Sequence, residues 1–180
     1  MGSNRKYLDT YQRLRKNHGV TVTSKDRSLT WLWKFIHWFL YIVTFGKQDQ
    51  FLNSYTTTLG RTIYYPYGWR IEDTTDESCI TLAHEADHIK LNYQCGFGNI
   101  YLGTVIMGLL YLLFPLPIGF AWFRYYAERR AYKISYATAK KYGLKTDISW
   151  YIQQLTGPSY LWTWVLKKQV REWFEKNCTP

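Results

Sequence analysis

The chain has 180 residues, enough for one sizeable core and short for two. Its residues are 47% apolar and 19% aromatic, with 9 Trp and 17 Tyr, which excludes a disordered or fibrous chain. A formal charge of +10 draws anionic partners or surfaces toward it, but no recognised nucleic-acid motif accompanies that charge, so nucleic acid is not an expected partner.

The polar start MGSNRKYLDTYQ lacks the apolar centre of a signal peptide, and Lys6 stands where a myristoylation signal needs Ser or Thr. Cys79, Cys95 and Cys178 form neither a CxxC pair nor an even framework, which suits a reducing compartment. An intracellular, cytoplasmic protein is therefore expected. Arg5, Lys6, Arg13, Arg15 and Lys16 make residues 1–27 a basic N-terminal arm, read as a solvated segment ahead of a single domain over residues 28–180.

Residues 28–46, SLTWLWKFIHWFLYIVTFG, predict a very apolar helix with a Ser/Thr start and a Gly stop. Residues 55–69, YTTTLGRTIYYPYGW, are dense in Thr, Ile and Tyr and predict one or two strands. Pro66 cannot donate to a ladder, which places the strand around Thr62 to Tyr65 at a sheet edge. Next, Thr74 and Glu77 have the spacing of a capping box, with Asp76 and Glu77 at the positive end of a helix dipole. That helix should run to about Leu91 or Tyr93, before Gly96 and Gly98.

Residues 100–123 then carry 24 residues without a charge, long enough to qualify as a transmembrane candidate. Pro115 and Pro117 break the helix after roughly 15 residues, about 22 Å, which is short for a span. The stretch reads either as a buried hairpin or as a loop dipping into a membrane surface; with residues 31–45 it makes two segments able to meet lipid. A helix over FAWFRYYAERRAYKISYATAKKYG is stopped by Gly143. Two more are predicted near Ser149 to Leu155 and from Pro158, at a first-turn position, to about Lys176. The fold class expected is α+β, mainly helical, with a short edge strand or hairpin before the capped helix.

Within that capped helix, TLAHEADHIKL holds His84, Glu85 and His88 in the pattern H-E-x-x-H. Residues four apart share a helix face, so both imidazoles can reach one ion. Glu85 lies about 100° around from His84, placed to reach a water on that ion without ligating it. The bland alternative is a solvated face carrying ordinary His and Glu. Apolar neighbours Leu82, Ala83, Ala86 and Ile89 hold the helix against a core and weigh against it. A catalytic zinc site wants three protein ligands, and Glu128 is the best candidate for the third. It is the only acidic residue between Asp87 and Asp147. Asp87 points away from the two imidazoles, Cys79 lies about 140° round the helix, and Glu172 and Glu175 belong to a terminal amphipathic helix.

At Glu128, Arg129, Arg130, Ala131 and Tyr132 the chain resembles the gluzincin zinc metallopeptidases, in particular the membrane-associated heat-shock and CAAX-processing endopeptidases, whose third ligand lies in E-x-x-A-D. The resemblance covers roughly Tyr55 to Gly143. It implies a zincin-like domain, one Zn2+ held by His84, His88 and Glu128, and Glu85 as the general base. Tyr132 departs from the family's Asp, whose usual role is to support the ligands from behind.

The function expected is a zinc-dependent endopeptidase acting on an extended peptide or protein substrate laid along the edge of the strand at Thr62 to Tyr65. The alternative is a noncatalytic binding or scaffold protein, membrane-associated, with a structural or absent metal.

Overall fold

A computed structural model describes residues 3–43, 45–46, 49–112, 121–157 and 166–178. Among these the chain is mainly helical, with eight α-helices and one three-stranded sheet, so the α+β reading holds at that level. Contacts divide the chain into two units, Met1–Thr75 and Asp76–Pro180.

The first unit contains α1 (Ser3–His18), β1 (Thr21–Ser24), α2 (Thr30–Val43), the single turn α3 (Phe51–Ser54), β2 (Thr57–Leu59) and β3 (Thr62–Tyr65). Its strand order is β1-β3-β2, with β1 parallel and β2 antiparallel to β3. A two-residue connection joins β2 to β3, and Gly60 takes its first position with φ +61°, as a type II′ turn requires. The hairpin ahead of the motif helix is therefore present, but β3 is the central strand rather than an edge. Two features overturn that expectation. Pro66 falls just past the last paired residue, Tyr65, where its missing N–H costs no ladder bond. The outer partner, β1, comes from the segment read as a solvated arm.

That segment is folded for identifiable reasons. Tyr7 on α1 is fully buried, its hydroxyl donating to the Tyr65 hydroxyl at 3.2 Å, and its ring lies against Tyr65 and Trp69. Lys25 is also fully buried. Its ammonium donates to the Phe51 and Tyr55 carbonyls at 2.9 and 2.7 Å and lies 3.8 Å from the centre of the Phe51 ring. A buried ammonium is tolerable only with such partners, and here it fastens α3 to the end of β1. Trp33 on α2 completes this core against Tyr64, with ring centres 4.7 Å apart.

The second unit contains α4 (Asp76–Cys95), α5 (Ile100–Leu112), α6 (Ala121–Lys141), α7 (Ile148–Thr156) and α8 (Lys167–Cys178). Asp76 and Glu77 occupy the first turn of α4, while the Thr74 hydroxyl donates to the Ile71 carbonyl at 2.9 Å. The Asn99 side chain caps α5 by accepting from the Tyr101 and Leu102 amides. Gly143, at φ +68°, ends α6 in a Schellman turn: its amide donates to Lys140 O and that of Leu144 to Ala139 O. Asp147 caps α7 through the Ser149 amide.

Helix α6 packs chiefly against α4, and α5 touches both. The charge-free stretch thus leads back to α4, as the sequence required if Glu128 was to approach His84. Pro115 and Pro117, expected to make that reversal, and Pro158, the expected start of the last helix, lie outside the described residues. No described helix is long and apolar enough to cross a membrane.

The α4–α5 hairpin depends on absent side chains. A Cβ at Gly103 would fall 1.7 Å from the Asn92 carbonyl oxygen, so the two helix backbones meet where only glycine fits. Gly103→Ala should lower stability by about 3 kcal/mol, the upper part of the range for overpacking. Urea unfolding would show it, and an unchanged midpoint would disprove this account of the hairpin.

Candidate metal centre

Helix α4 presents His84 and His88 one turn apart, and α6 presents Glu128 to both. The fit rests on small residues: Ala127, Ala131 and Ala139 on α6 are fully buried, and alanine lets neighbouring helices approach closely. Arg130 then clasps the pair, donating to Gln94 Oε1 at 3.0 Å and reaching Asp87 Oδ1 at 3.4 Å. Asp87 is thereby directed to Arg130 rather than to the imidazoles, as its helical position implied.

The three donor atoms converge. His84 Nε2 lies 3.3 Å from His88 Nε2 and 3.4 Å from Glu128 Oε2, and His88 Nε2 lies 3.6 Å from Glu128 Oε1. These separations exceed the usual N–H···O range of about 2.7–3.2 Å. They also match the edge of a tetrahedron, since ligand bonds of about 2.1 Å would put neighbouring donors roughly 3.4 Å apart. His84, His88 and Glu128 form a buried group that could hold a metal ion, and their donor atoms all lie within 4.8 Å of one another. Their spacing and donor chemistry fit a divalent cation taking nitrogen and oxygen ligands.

Glu128 is 3% exposed, and both histidine side chains keep 11%, so the pair is not sealed from solvent. Burial alone pushes the His84 pKa down. The hydrogen bond and charge of Glu128, with the charges of Glu85 and Asp87, outweigh it and hold the pKa above the ordinary 6.5. Positive charge is thus favoured at this point, whether carried by a proton or a metal.

Glu85, the expected base, is buried beside His84 on α4 and lies outside the three-donor group. Cys79, which is buried, and the less buried Cys95 and Cys178 form no disulfide. Glu172 is exposed and faces Lys168 at 3.9 Å. Neither Cys79, Glu172 nor Glu175 belongs to the donor group. Tyr132 lies edge-on to His84, ring centres 4.8 Å apart, and is backed by Trp150 and Tyr151. Sequence reasoning missed Ser135, which is 2% exposed, with Oγ 3.2 Å from His84 Nδ1 and a bond from that Oγ to the Ala131 carbonyl at 3.1 Å. A signal was present, because Ser135 follows Glu128 by seven residues and so shares its helix face.

Comparison with models of protein families, with curated proteins and with solved structures found no match.

The raised His84 pKa has a definite consequence for the metal-free protein. Pairing of the charged imidazole with Glu128 stabilises the fold fully below the unfolded pKa, near 6.5, and that contribution is lost as pH rises through the higher folded value. Melting temperatures measured with chelator present should contain a component that falls across this interval and disappears in His84→Ala. A component of opposite sign would contradict the assignment.

Proposed function

We propose that this chain is a zinc-dependent endopeptidase with a zincin-like arrangement of α4 and α6, the reading best supported by the convergence of His84, His88 and Glu128. His84, His88 and Glu128 would hold the ion, through two imidazole nitrogens and one carboxylate oxygen. When bound, the ion supplies Lewis acidity, lowering the pKa of a water molecule and polarising a peptide carbonyl. Glu85, adjacent to His84 and outside the ligand set, accepts the proton of the attacking water at its carboxylate and returns it to the leaving amine. Tyr132 restrains the His84 ring by edge contact rather than by the carboxylate of the resembling family. The substrate is a peptide or protein segment in extended form; the edge of β3 is not available to it, because β1 and β2 occupy both sides.

Metal analysis should find one zinc per chain in wild type and in Glu85→Gln, with loss in His84→Ala. Glu85→Gln should hydrolyse no member of a peptide library that wild type cleaves. Retained turnover in that variant removes Glu85 as the base, and a wild type that takes up no metal removes the peptidase.

A second reading, a noncatalytic binding protein at a lipid surface, rests on the outward face of α2. Trp31, Phe35, Trp38, Phe39 and Ile42 are exposed there, Trp31 by 71%, and Phe45 just beyond the helix by 94%. Apolar area of that extent marks an interaction surface, and aromatic side chains with a chain charge of +10 suit an anionic interface. Sedimentation with phosphatidylserine-containing vesicles should carry the protein down, and Phe35→Ser with Trp38→Ser should weaken it. Failure of wild type to sediment excludes this reading.

A further inference from the structure

Three residues of α6 surround one imidazole. Glu128, Tyr132 and Ser135 follow one another at intervals of four and three, so they line a single helix face, and all three meet His84. Glu128 approaches the Nε2 side at 3.4 Å, Ser135 approaches Nδ1 at 3.2 Å, and the Tyr132 ring bears on the ring between them.

The proton inventory of Ser135 bears on which nitrogen of neutral His84 carries the hydrogen. A serine hydroxyl has one proton and two lone pairs. That proton goes to the Ala131 carbonyl at 3.1 Å, one turn back on the same helix. The oxygen therefore faces His84 Nδ1 with a lone pair, and the contact is a hydrogen bond only if Nδ1 carries the hydrogen. A neutral imidazole has one N–H, so Nε2 is then bare and directs its lone pair toward Glu128 and His88. The competing tautomer carries the proton on Nε2, toward the Glu128 carboxylate at 3.4 Å, and blocks the atom that must ligate; the closer Ser135 contact at 3.2 Å is what opposes it.

We propose that Ser135 is a positioning residue that holds neutral His84 in the Nδ1–H form, through an Nδ1–H···Oγ–H···O=C relay ending on the Ala131 carbonyl. The relay takes the place of the supporting carboxylate that Tyr132 replaces. It is uncharged, so two neutral imidazoles and one carboxylate leave a dication with a net charge of +1, where a carboxylate support would bring the set to neutrality. Ligand orientation is retained and electron donation to the ring is weaker. The consequence for metal rests on the peptidase reading; the tautomer stands in the metal-free protein.

The test uses the full chain. Long-range 1H–15N correlation spectra of the metal-free protein, recorded above the His84 pKa, should show the proton on Nδ1. Ser135→Ala should move it toward Nε2 and weaken zinc binding, measured by chelator competition, by about 10- to 100-fold. Ser135→Thr, which keeps the hydroxyl, should restore both the tautomer and the affinity. The proposal is overturned by an Nε2–H tautomer in wild type, or by a folded Ser135→Ala chain with unchanged tautomer and affinity. If Ser135→Ala does not fold, the wild-type spectrum and the Ser135→Thr variant decide by the same criteria. A wild type with the Nδ1–H tautomer and no zinc affinity would remove the peptidase reading and leave the positioning role intact.

Discussion

A carboxylate buried against two imidazole nitrogens is the constraint around which the second unit is organised. Glu128 is almost wholly withdrawn from water, and an isolated carboxylate in that position would be costly. A neutral imidazole brings no charge to offset that of the carboxylate. A positive charge among the three donors does offset it, and the raised pKa of His84 expresses that demand as proton affinity. The same demand makes the position suitable for a dication, whose charge acts on all three donors at once.

The rest of this unit can be understood as the means of keeping α4 and α6 close enough. Fully buried alanines on α6 allow the approach, Arg130 ties it laterally to Asp87 and Gln94, and glycine at position 103 lets α5 brace the end of α4. On the far side, Tyr125, Tyr132, Tyr136, Tyr151 and Phe174 join α6 to α7 and α8 in one aromatic core. Tyr132 belongs both to that core and to the His84 contact, so packing and the placing of this imidazole are coupled through a single ring. The high aromatic content detected in the composition has a structural use here: large flat side chains cover area with few rotamers to freeze.

The first unit solves a different problem with similar materials. Its sheet is small, with three strands of three or four residues, and cannot bury much by itself. Trp33, Phe51 and Tyr64 supply a core on one side, and the Lys25 ammonium, donating to two main-chain carbonyls, occupies a place where a cation is an unexpected guest. The outward face of α2 is as apolar as the inward one, a pattern that neither the sheet nor this core accounts for.

Local signals in the sequence located α2, α4, α6 and α7 and singled out His84, His88 and Glu128, but not α1, which falls in the segment read as an arm. The Asp and Glu start of α4, the glycine at the end of α6, and the four-residue spacing of His84 and His88 are read within one or two turns of chain. Glu128 was legible by a different route, as a lone acid on an aromatic helix. The strand order and the Ser135 contact were decided only in three dimensions. A strand of four residues such as TVTS has no identity until β3 lies beside it, because its stability comes from pairing with residues 41 positions away. The seven-residue spacing from Glu128 puts Ser135 on the same helix face, but only packing carries its hydroxyl to one nitrogen of one ring.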